Sequence, residues 1–346
     1  MAALWFGLLA GMLAVYAVLD GFDFGVGVLH RFVARTDGER QQVLATIGPV
    51  WDGNEVWLIA SGGVLFLAFP AAYASGFSGF YLPLMIVLWL LILRGLSIEL
   101  RSHEAHPLWR AFWDTTLQVA SVLMAVVLGA ALGNVIRGVP LDASGYFQLP
   151  LFGNFSPWGP TGVLDWYTVA VGVLTLAILT LHGALYLVWK AEGPVAERAL
   201  AIARRMWWVV AVLGVAATAL TWLVQPGLYA MIGSRIWPMA LVAVALAGYL
   251  SVPIRLNRGE ERSAFLGSAA FILGILAATA AGLYPNILSS NIDPQFSITA
   301  QSAQAGGYGL RVALIWWVPG ILLAMGYFAH LFWRFRGKVA GGSTEP

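Results

Sequence analysis

The chain has 346 residues, of which 60% are hydrophobic and only 10% charged, and its formal net charge is +2. Soluble domains are nearer to a quarter charged, so this composition excludes an ordinary soluble domain and predicts an integral membrane protein. The absence of cysteine excludes disulfides, thiolate zinc sites and Cys-ligated iron–sulfur clusters.

Nine apolar stretches are each long enough to cross roughly 30 Å of hydrocarbon at about 20 residues per crossing. In chain order they lie at about 4–29, 55–72, 77–97, 111–136, 163–189, 206–225, 236–253, 264–284 and 309–333. The second and third are the least distinct, since only a short segment around Pro70 and Gly76 separates them. Lipid offers no partner to the backbone, so these segments must be helices. We predict an all-α integral membrane protein with nine transmembrane helices in one polytopic domain, 1–346.

The basic residues predict the orientation of the chain. If the nine helices alternate in direction, all but three of the 19 Lys and Arg residues fall on one side of the membrane. The three on the other side are Arg137, Arg235 and Arg311. Because Lys and Arg concentrate in cytoplasmic loops, this asymmetry predicts an outside N-terminus and a cytoplasmic C-terminus.

Carboxylates gather in the cytoplasmic half of this topology. Asp20 and Asp23 lie three residues apart in the first helix and therefore share a face. A carboxylate at the centre of a membrane helix costs about 2.5–3.5 kcal/mol on insertion scales, so Asp23 in the apolar string GFDFGVG is a functional candidate. Asp20 has the alternative of lying near the interface. Asp52 and Glu55 begin the second helix, where carboxylates can also serve as N-terminal caps.

Other polar residues have a structural and a functional interpretation. Arg94 and Glu99 fit an ordinary interfacial pair, and Asp114 fits a helix cap or an interfacial charge. His182 is the one histidine of five well inside a span, and it fits a core histidine with satisfied hydrogen bonds. A bis-histidine haem site needs two ligands at matching depth, so we predict no haem held by this chain. The alternative is a lone His or Met ligand, although the eight Met residues are more simply core filling.

Five glycines lie in or beside the same segments. They are Gly21, Gly25, Gly27, Gly62 and Gly63. Small residues let membrane helices approach closely, so these positions predict tight helix packing.

Five motifs, taken in order, identify a family. They are GFDFGVGVL, IGPVWDGNEVWLI, FPAAYASGFSGFYLPL, LRGLSIELR and LGAALGNVIRGVP. Together they closely resemble subunit II of the bacterial cytochrome bd-type ubiquinol or menaquinol oxidases. The resemblance is dense over about 16–140 and continues more weakly to the C-terminus.

The resemblance implies an architecture and a reaction. The fold would be two four-helix bundles plus one peripheral helix, paired with a haem-bearing subunit I in the bacterial cytoplasmic membrane. Subunit I would hold two b-type haems and one d-type haem, and electrons from quinol would reduce O2 to water. Subunit II would hold no cofactor of its own, although some relatives bind a structural quinone. Small single-helix accessory subunits and lipid are further implied partners, whereas nothing indicates nucleic acid.

The resemblance also implies a cytoplasm-facing proton path, which maps onto Asp23, Asp20, Asp52, Glu99 and His103. Some relatives carry Asp at the position of Glu99 and Lys at that of His103. Histidine is a weaker permanent cation than lysine, so the role of His103 stays open.

Two other functions would also place carboxylates in a membrane. A proton-coupled secondary transporter is one, although transporters usually show paired repeats with broken helices, and no matching halves stand out here. The other is a pure assembly scaffold whose carboxylates are caps and anchors.

Overall fold

The computed structural model describes residues 1–157 and 159–340. Thirteen α-helices make up most of this part of the chain. They are α1 (Ala2–Val33), α2 (Asp37–Ile47), α3 (Trp51–Ala68), α4 (Pro70–Gly79), α5 (Tyr81–Leu100), α6 (Pro107–Arg137), α7 (Trp166–Lys190), α8 (Gly193–Val224), α9 (Pro226–Gly233), α10 (Ile236–Asn257), α11 (Glu261–Leu283), α12 (Ala300–Ala303) and α13 (Gly307–Arg334). Two short antiparallel strands, β1 (Asn286–Leu288) and β2 (Ile298–Thr299), and the short 3-10 helix between them (Pro294–Phe296) complete the described elements.

Eight of the described helices, each of 20 to 32 residues, are long and apolar enough to cross a membrane. They are α1, α5, α6, α7, α8, α10, α11 and α13. Each corresponds to one of the predicted apolar stretches, so the prediction of an all-α, multi-pass membrane protein is confirmed.

The remaining predicted stretch, 55–72, covers most of α3 and the start of α4. Helix α3 has 18 residues, or about 27 Å at 1.5 Å per residue. Its first turns carry Asp52, Asn54 and Glu55, which make it less apolar than the other spans. Helix α3 ends before Phe69, because Pro70 has no backbone N–H to donate and begins a new helix, α4. The count of nine crossings therefore stays a prediction.

Helix α1 lies at the centre of the packing, against α3, α6, α7 and α11. Its crossing with α7 requires glycine on both sides. A Cβ on Gly25 would lie 2.0 Å from the carbonyl oxygen of Leu179, and one on Gly183 would lie 2.3 Å from the backbone of Gly25. Neither position could carry a larger residue without separating the helices, as the glycine pattern predicts for this part of α1.

The prediction of tight packing is wrong for Gly62 and Gly63 within this chain. A Cβ added to either of them would meet no other atom within 4 Å. At these two positions, α3 therefore has no close contact with another helix of this chain.

Different segments pack at the two ends of the molecule. At the end that holds the N-terminus, Trp5 of α1 and Phe69 after α3 share a hydrophobic cluster with residues of the long loops, such as Val139 and Leu288. At the other end, α2 and the tail after α13 pack beside the end of α7. Helix α13 itself is peripheral, because only Leu310 and Leu331 within it are buried. The grouping of the helices into two four-helix bundles stays a prediction.

Candidate proton-transfer site

The candidate site lies where the second half of α1 meets the start of α3 and the end of α5. Asp20 and Asp23 of α1 are both buried, with 0% and 1% of their surface exposed. They share a face of α1 as their spacing predicts, and this face is turned toward α3 and α5. Asp20 is therefore enclosed by protein, and its depth relative to the membrane interface stays a prediction.

Arg94 of α5 joins carboxylates from two other helices. Its Nη1 donates to Asp20 Oδ1, and its Nη2 donates to Glu55 Oε2 of α3 at 3.0 Å. The guanidinium also lies 4.4 Å from the centre of the Phe24 ring, a cation–π contact. Arg94 and Asp20 are almost completely buried, whereas the side chain of Glu55 is 20% exposed. The predicted Arg94–Glu99 pair is wrong, because Glu99 lies on the exposed face of α5.

Asp23 has a different kind of partner. Its Oδ2 accepts a hydrogen bond from Asn54 Nδ2 at 2.8 Å, and the same amide donates to the backbone oxygen of Leu19 at 3.2 Å. Asp23 is thus bonded to a neutral amide, while Asp20 is bonded to a cation. The two aspartates therefore have unequal electrostatic surroundings although they lie one helical turn apart.

Several buried polar atoms around these residues have no hydrogen-bond partner within the described protein. The oxygens are Asp23 Oδ1 and Asn54 Oδ1. Trp57 Nε1 and Arg94 Nε add two unpartnered donors. Buried polar groups in native proteins are bonded to protein or to ordered water, so this polar lining has the chemistry of a hydrated site.

The charges of the site do not balance if every group ionises. Asp20, Asp23 and Glu55 surround a single guanidinium, that of Arg94. Three carboxylates in a shared buried region cannot all ionise at low cost, so the arrangement favours the retention of protons. Groups that hold and release protons beside hydrated oxygens can transfer them.

The structure does not bring the other predicted residues into this cluster. Asp52 lies exposed in the first turn of α3. The prediction that it caps the helix with a side-chain hydrogen bond is wrong, since no side chain forms such a bond at the start of α3. Glu99 is exposed near the end of α5, and His103 is exposed in the turn after it. His103 Nδ1 lies 3.0 Å from the backbone oxygen of Glu99 and not from its carboxylate.

A second ionic network fixes the helix ends on the same side of the molecule. Asp114 of α6 is buried, and its Oδ1 lies 2.6 Å from His30 Nε2 and 2.5 Å from Arg101 Nε. Its Oδ2 accepts from Arg40 Nη1 at 3.1 Å. Arg101 also reaches Asp37 at the start of α2. This network joins α1, α2, α5 and α6, so Asp114 is neither a helix cap nor an isolated interfacial charge.

His182 does not fit an iron ligand in this arrangement. Its Nδ1 lies 2.7 Å from Ser268 Oγ and its Nε2 lies 3.1 Å from the backbone oxygen of Val18. The ring stacks on Phe265, with 4.6 Å between centroids. Both nitrogens are thus occupied by protein, as expected for a core histidine with satisfied hydrogen bonds. Among the described residues, no group of three or more His, Asp or Glu is arranged to hold a metal ion.

Sequence reasoning named Arg94 and Glu55 without finding that they pair with each other, and it missed Asn54. A signal for Arg94 exists in the string LWLLILRGL. An arginine that follows so apolar a segment needs an acidic partner at membrane depth. The sequence does not reveal which acid that is, because the choice depends on how α1, α3 and α5 pack.

Comparisons with known proteins identify relatives over nearly the whole chain. The family model described as cytochrome bd terminal oxidase subunit II matches residues 1–335. A Bacillus subtilis protein named cytochrome bd ubiquinol oxidase subunit 2 is 30% identical over 338 residues, which cover 97% of this chain and 96% of that protein. The Escherichia coli K12 protein named cytochrome bd-I ubiquinol oxidase subunit 2 is 29% identical, over 99% of this chain and 96% of its own length.

A solved structure agrees at the level of the fold. A chain of the bd oxidase from Geobacillus thermodenitrificans superposes with a TM-score of 0.73 at 18% identity, over 96% of this chain and 98% of that one. With the family match, this confirms the resemblance found in the five sequence motifs. The chain belongs to the family of cytochrome bd terminal oxidase subunit II.

Proposed function

We propose that this chain, as subunit II of a quinol-oxidising terminal oxidase, conducts protons from the cytoplasm toward the haems of its partner subunit. The observation that carries the proposal is the buried cluster in which Asp20, Asp23 and Glu55 surround one guanidinium. Family membership already favours an oxidase subunit over a secondary transporter. The Bacillus subtilis and Escherichia coli relatives are named as ubiquinol oxidase subunits, which supports quinol as the electron donor. Membership of the cytochrome bd family supports the presence of haems in the complex. The sequence resemblance assigns these as two b-type haems and one d-type haem in subunit I.

The proposed orientation puts the site in the cytoplasmic half of a bacterial cytoplasmic membrane. Its support is the distribution of Lys and Arg, together with a ninth crossing by α3. Asn54 near the start of α3 bonds Asp23 near the inner end of α1, and Phe69 beyond its end shares a cluster with Trp5. Helix α3 therefore runs antiparallel along most of α1.

A labelling experiment tests this orientation. Cysteines introduced at Arg198 and Gly145 would be exposed to an impermeant thiol reagent on intact cells. We expect position 145 to react and position 198 to be protected. Reaction of position 198 with protection of position 145 would reverse the proposed topology.

The proposed order of proton carriers follows exposure. Asp52 is exposed, Glu55 is partly exposed, and Asp20 and Asp23 are buried. Asp52 and Glu55 lie three residues apart and share a face of α3. Glu55 contacts Arg94, which contacts Asp20. We assign Glu99 and His103 only as surface groups at the cytoplasmic entrance.

The partner subunit is proposed to cover the face of α3 that is open in this chain. Asp52 is exposed, a Cβ on Gly62 or Gly63 would meet nothing within 4 Å, and Ile59 and Phe66 of the same helix are 70% and 61% exposed. A carboxylate that faced lipid would be unfavourable, whereas a protein surface or a hydrated contact removes that cost. Glycines without cover similarly suit close contact with another helix.

Substitution of Asp23 tests the proton path. Asp23→Asn keeps the size of the side chain and its bond to Asn54, but an amide cannot release and recover a proton. We expect quinol-dependent O2 consumption by the purified complex to fall about tenfold or more, with haem content unchanged. Asp142→Asn, in an exposed loop on the opposite side, is the matched control and should retain full turnover.

The same measurement decides between the path and a scaffold. If Asp23→Asn retains full turnover and proton release across pH 6 to 8, the carboxylate is structural and the proton path fails. Glu55→Gln should slow turnover as well if Glu55 lies on the path, whereas a pure scaffold predicts loss of haem content before any loss of turnover per haem.

A further inference from the structure

A cavity of about 250 Å³ lies at the end of the chain that we assign to the cytoplasm, beside the end of α7 and under the tail that follows α13. Its lining combines three cations with apolar side chains and includes no carboxylate. The cations are Lys190, Arg334 and Lys338, and the apolar wall includes Val50 and Phe332. Positive charge beside an apolar wall is complementary to an anion that carries an apolar tail.

Lys190 is a buried residue of the cavity wall. It is the last residue of α7 and is 5% exposed, and it has no carboxylate partner within the described residues. Its ammonium donates to the backbone oxygens of Phe335 and Gly337, the latter at 2.9 Å. Phe335 is the C-cap of α13, so the cation lies at the negative end of that helix. Two of its three N–H donors are engaged, and one is left for a ligand.

Arg334 supplies further donors. It is the last residue of α13, is exposed, and forms no hydrogen bond or ion pair within the part of the chain that the structure describes. Lys338 differs, because it is already paired with Glu261 at 2.7 Å. A guanidinium with five free donors beside a fixed ammonium is well suited to phosphate oxygens.

The surroundings of the cavity correspond to the membrane surface. The neighbouring Trp333 is 59% exposed at the end of α13, and tryptophan concentrates at the headgroup level. Farther along α13, Leu322 and Leu323 are 62% and 76% exposed and offer an apolar surface toward the membrane centre. A volume of 250 Å³ equals that of about eight water molecules at roughly 30 Å³ each, enough for a phosphoglycerol group.

We propose that this cavity binds the phosphate group of an anionic phospholipid of the cytoplasmic leaflet, with the acyl chains against α13. Arg334 and the third donor of Lys190 contact the phosphate oxygens. The tail forms one wall of the cavity and is fastened independently of the ligand. Val339 N donates to Lys190 O at 2.7 Å, and Gln42 Nε2 donates to Val339 O at 2.8 Å.

The test uses the whole oxidase complex, purified in mild detergent and stripped of lipid. Phosphatidylglycerol, phosphatidylcholine or inorganic phosphate is added back, and bound lipid is measured by native mass spectrometry. We expect the complex to retain phosphatidylglycerol, and Arg334→Gln to weaken its binding about tenfold through loss of one charge-assisted contact. Arg336→Gln is the matched control, since Arg336 lies two residues away and stacks on Trp333 without lining the cavity. It should bind as tightly as the parent complex.

The outcomes are distinguishable. Equal retention of phosphatidylcholine, or equal loss in the Arg334 and Arg336 variants, would overturn the site as a specific anion site. Competition by inorganic phosphate as effective as by phosphatidylglycerol would overturn the assignment to lipid. A neutral quinone in the same cavity, with no phospholipid bound, would also contradict the proposal.

Discussion

Replacement of Arg94 by methionine tests the electrostatic logic of the buried cluster. Arg94 is 1% exposed and bonds Asp20, which is fully buried, and Glu55, which is 20% exposed. Methionine fills a similar length of the site but removes the only cation among the three carboxylates. Removal of one partner from a buried ion pair costs about 3–5 kcal/mol, because the other charge stays behind without compensation.

The size of the effect can be checked from the distances. At 3.0 Å and an effective dielectric constant near 20, two unit charges attract by about 5.5 kcal/mol, before the cost of desolvation is subtracted. We therefore expect Arg94→Met to destabilise the complex by about 3–5 kcal/mol. An exposed pair provides the contrast: Arg255 and Glu260 are 43% and 37% exposed, and Arg255→Met should cost no more than about 1 kcal/mol.

The cost should depend on pH in a defined direction. Without Arg94, the folded chain lowers the energy of the cluster by keeping protons on its carboxylates, and these protons are released on unfolding. Because the folded state then binds more protons than the unfolded state, the stability of Arg94→Met must fall as pH rises. The double variant Arg94→Met with Asp20→Asn removes one excess carboxylate and should recover part of the loss.

Thermal unfolding of the purified complex between pH 6 and 8, followed by tryptophan fluorescence, measures this series. The reasoning is refuted if Arg94→Met unfolds at the parent temperature. It is also refuted if the pH dependence has the opposite sign, or if the double variant is less stable than the single one.

Three further predictions concern other parts of the chain. Gly25→Ala should destabilise the complex by about 1–3 kcal/mol, because its Cβ would lie 2.0 Å from Leu179 O. Gly7→Ala is the neutral control in the same helix, since its Cβ would have nothing within 4 Å. Equal unfolding temperatures of the two variants would contradict the close-contact argument. His182→Ala should leave the haem absorption spectrum and the turnover per haem unchanged, but it should lower the stability of the complex by about 2–4 kcal/mol. Loss of one haem signal from an assembled complex would show that the histidine is a ligand. A hydrogen bond from Arg198 lowers the pKa of Glu39 from 4.5 to about 2, so the stability that this group contributes is present above about pH 4.5 and is lost as pH falls toward 2. Glu39→Gln should therefore cost about 1 kcal/mol at pH 7 and nothing at the acid end, and a cost that is the same at both ends would exclude the ion pair as its cause.

The sequence by itself determined the class of the protein, eight of its predicted spans and its family. Runs of about 20 apolar residues can be satisfied only as membrane helices, because lipid offers no hydrogen-bond partner to the backbone. Eight of the predicted stretches accordingly appear as long apolar helices. The spacing of Asp20 and Asp23 also fixed their common face, since the helical repeat is a local property.

The tertiary structure alone decided which groups meet. Sequence neighbours suggested that Arg94 pairs with Glu99, yet residues five apart on a helix point in different directions, and the rotation of α5 turns one inward and the other outward. Asp20, Glu55 and Asn54 reach the site from α1 and α3, and their convergence depends on the depth at which those helices cross. The glycines of α1 and α3 look alike in sequence. Gly21, Gly25 and Gly27 of α1 have another helix of this chain against them, whereas Gly62 and Gly63 of α3 have nothing within 4 Å, since contact is a property of the packed pair and not of either segment alone.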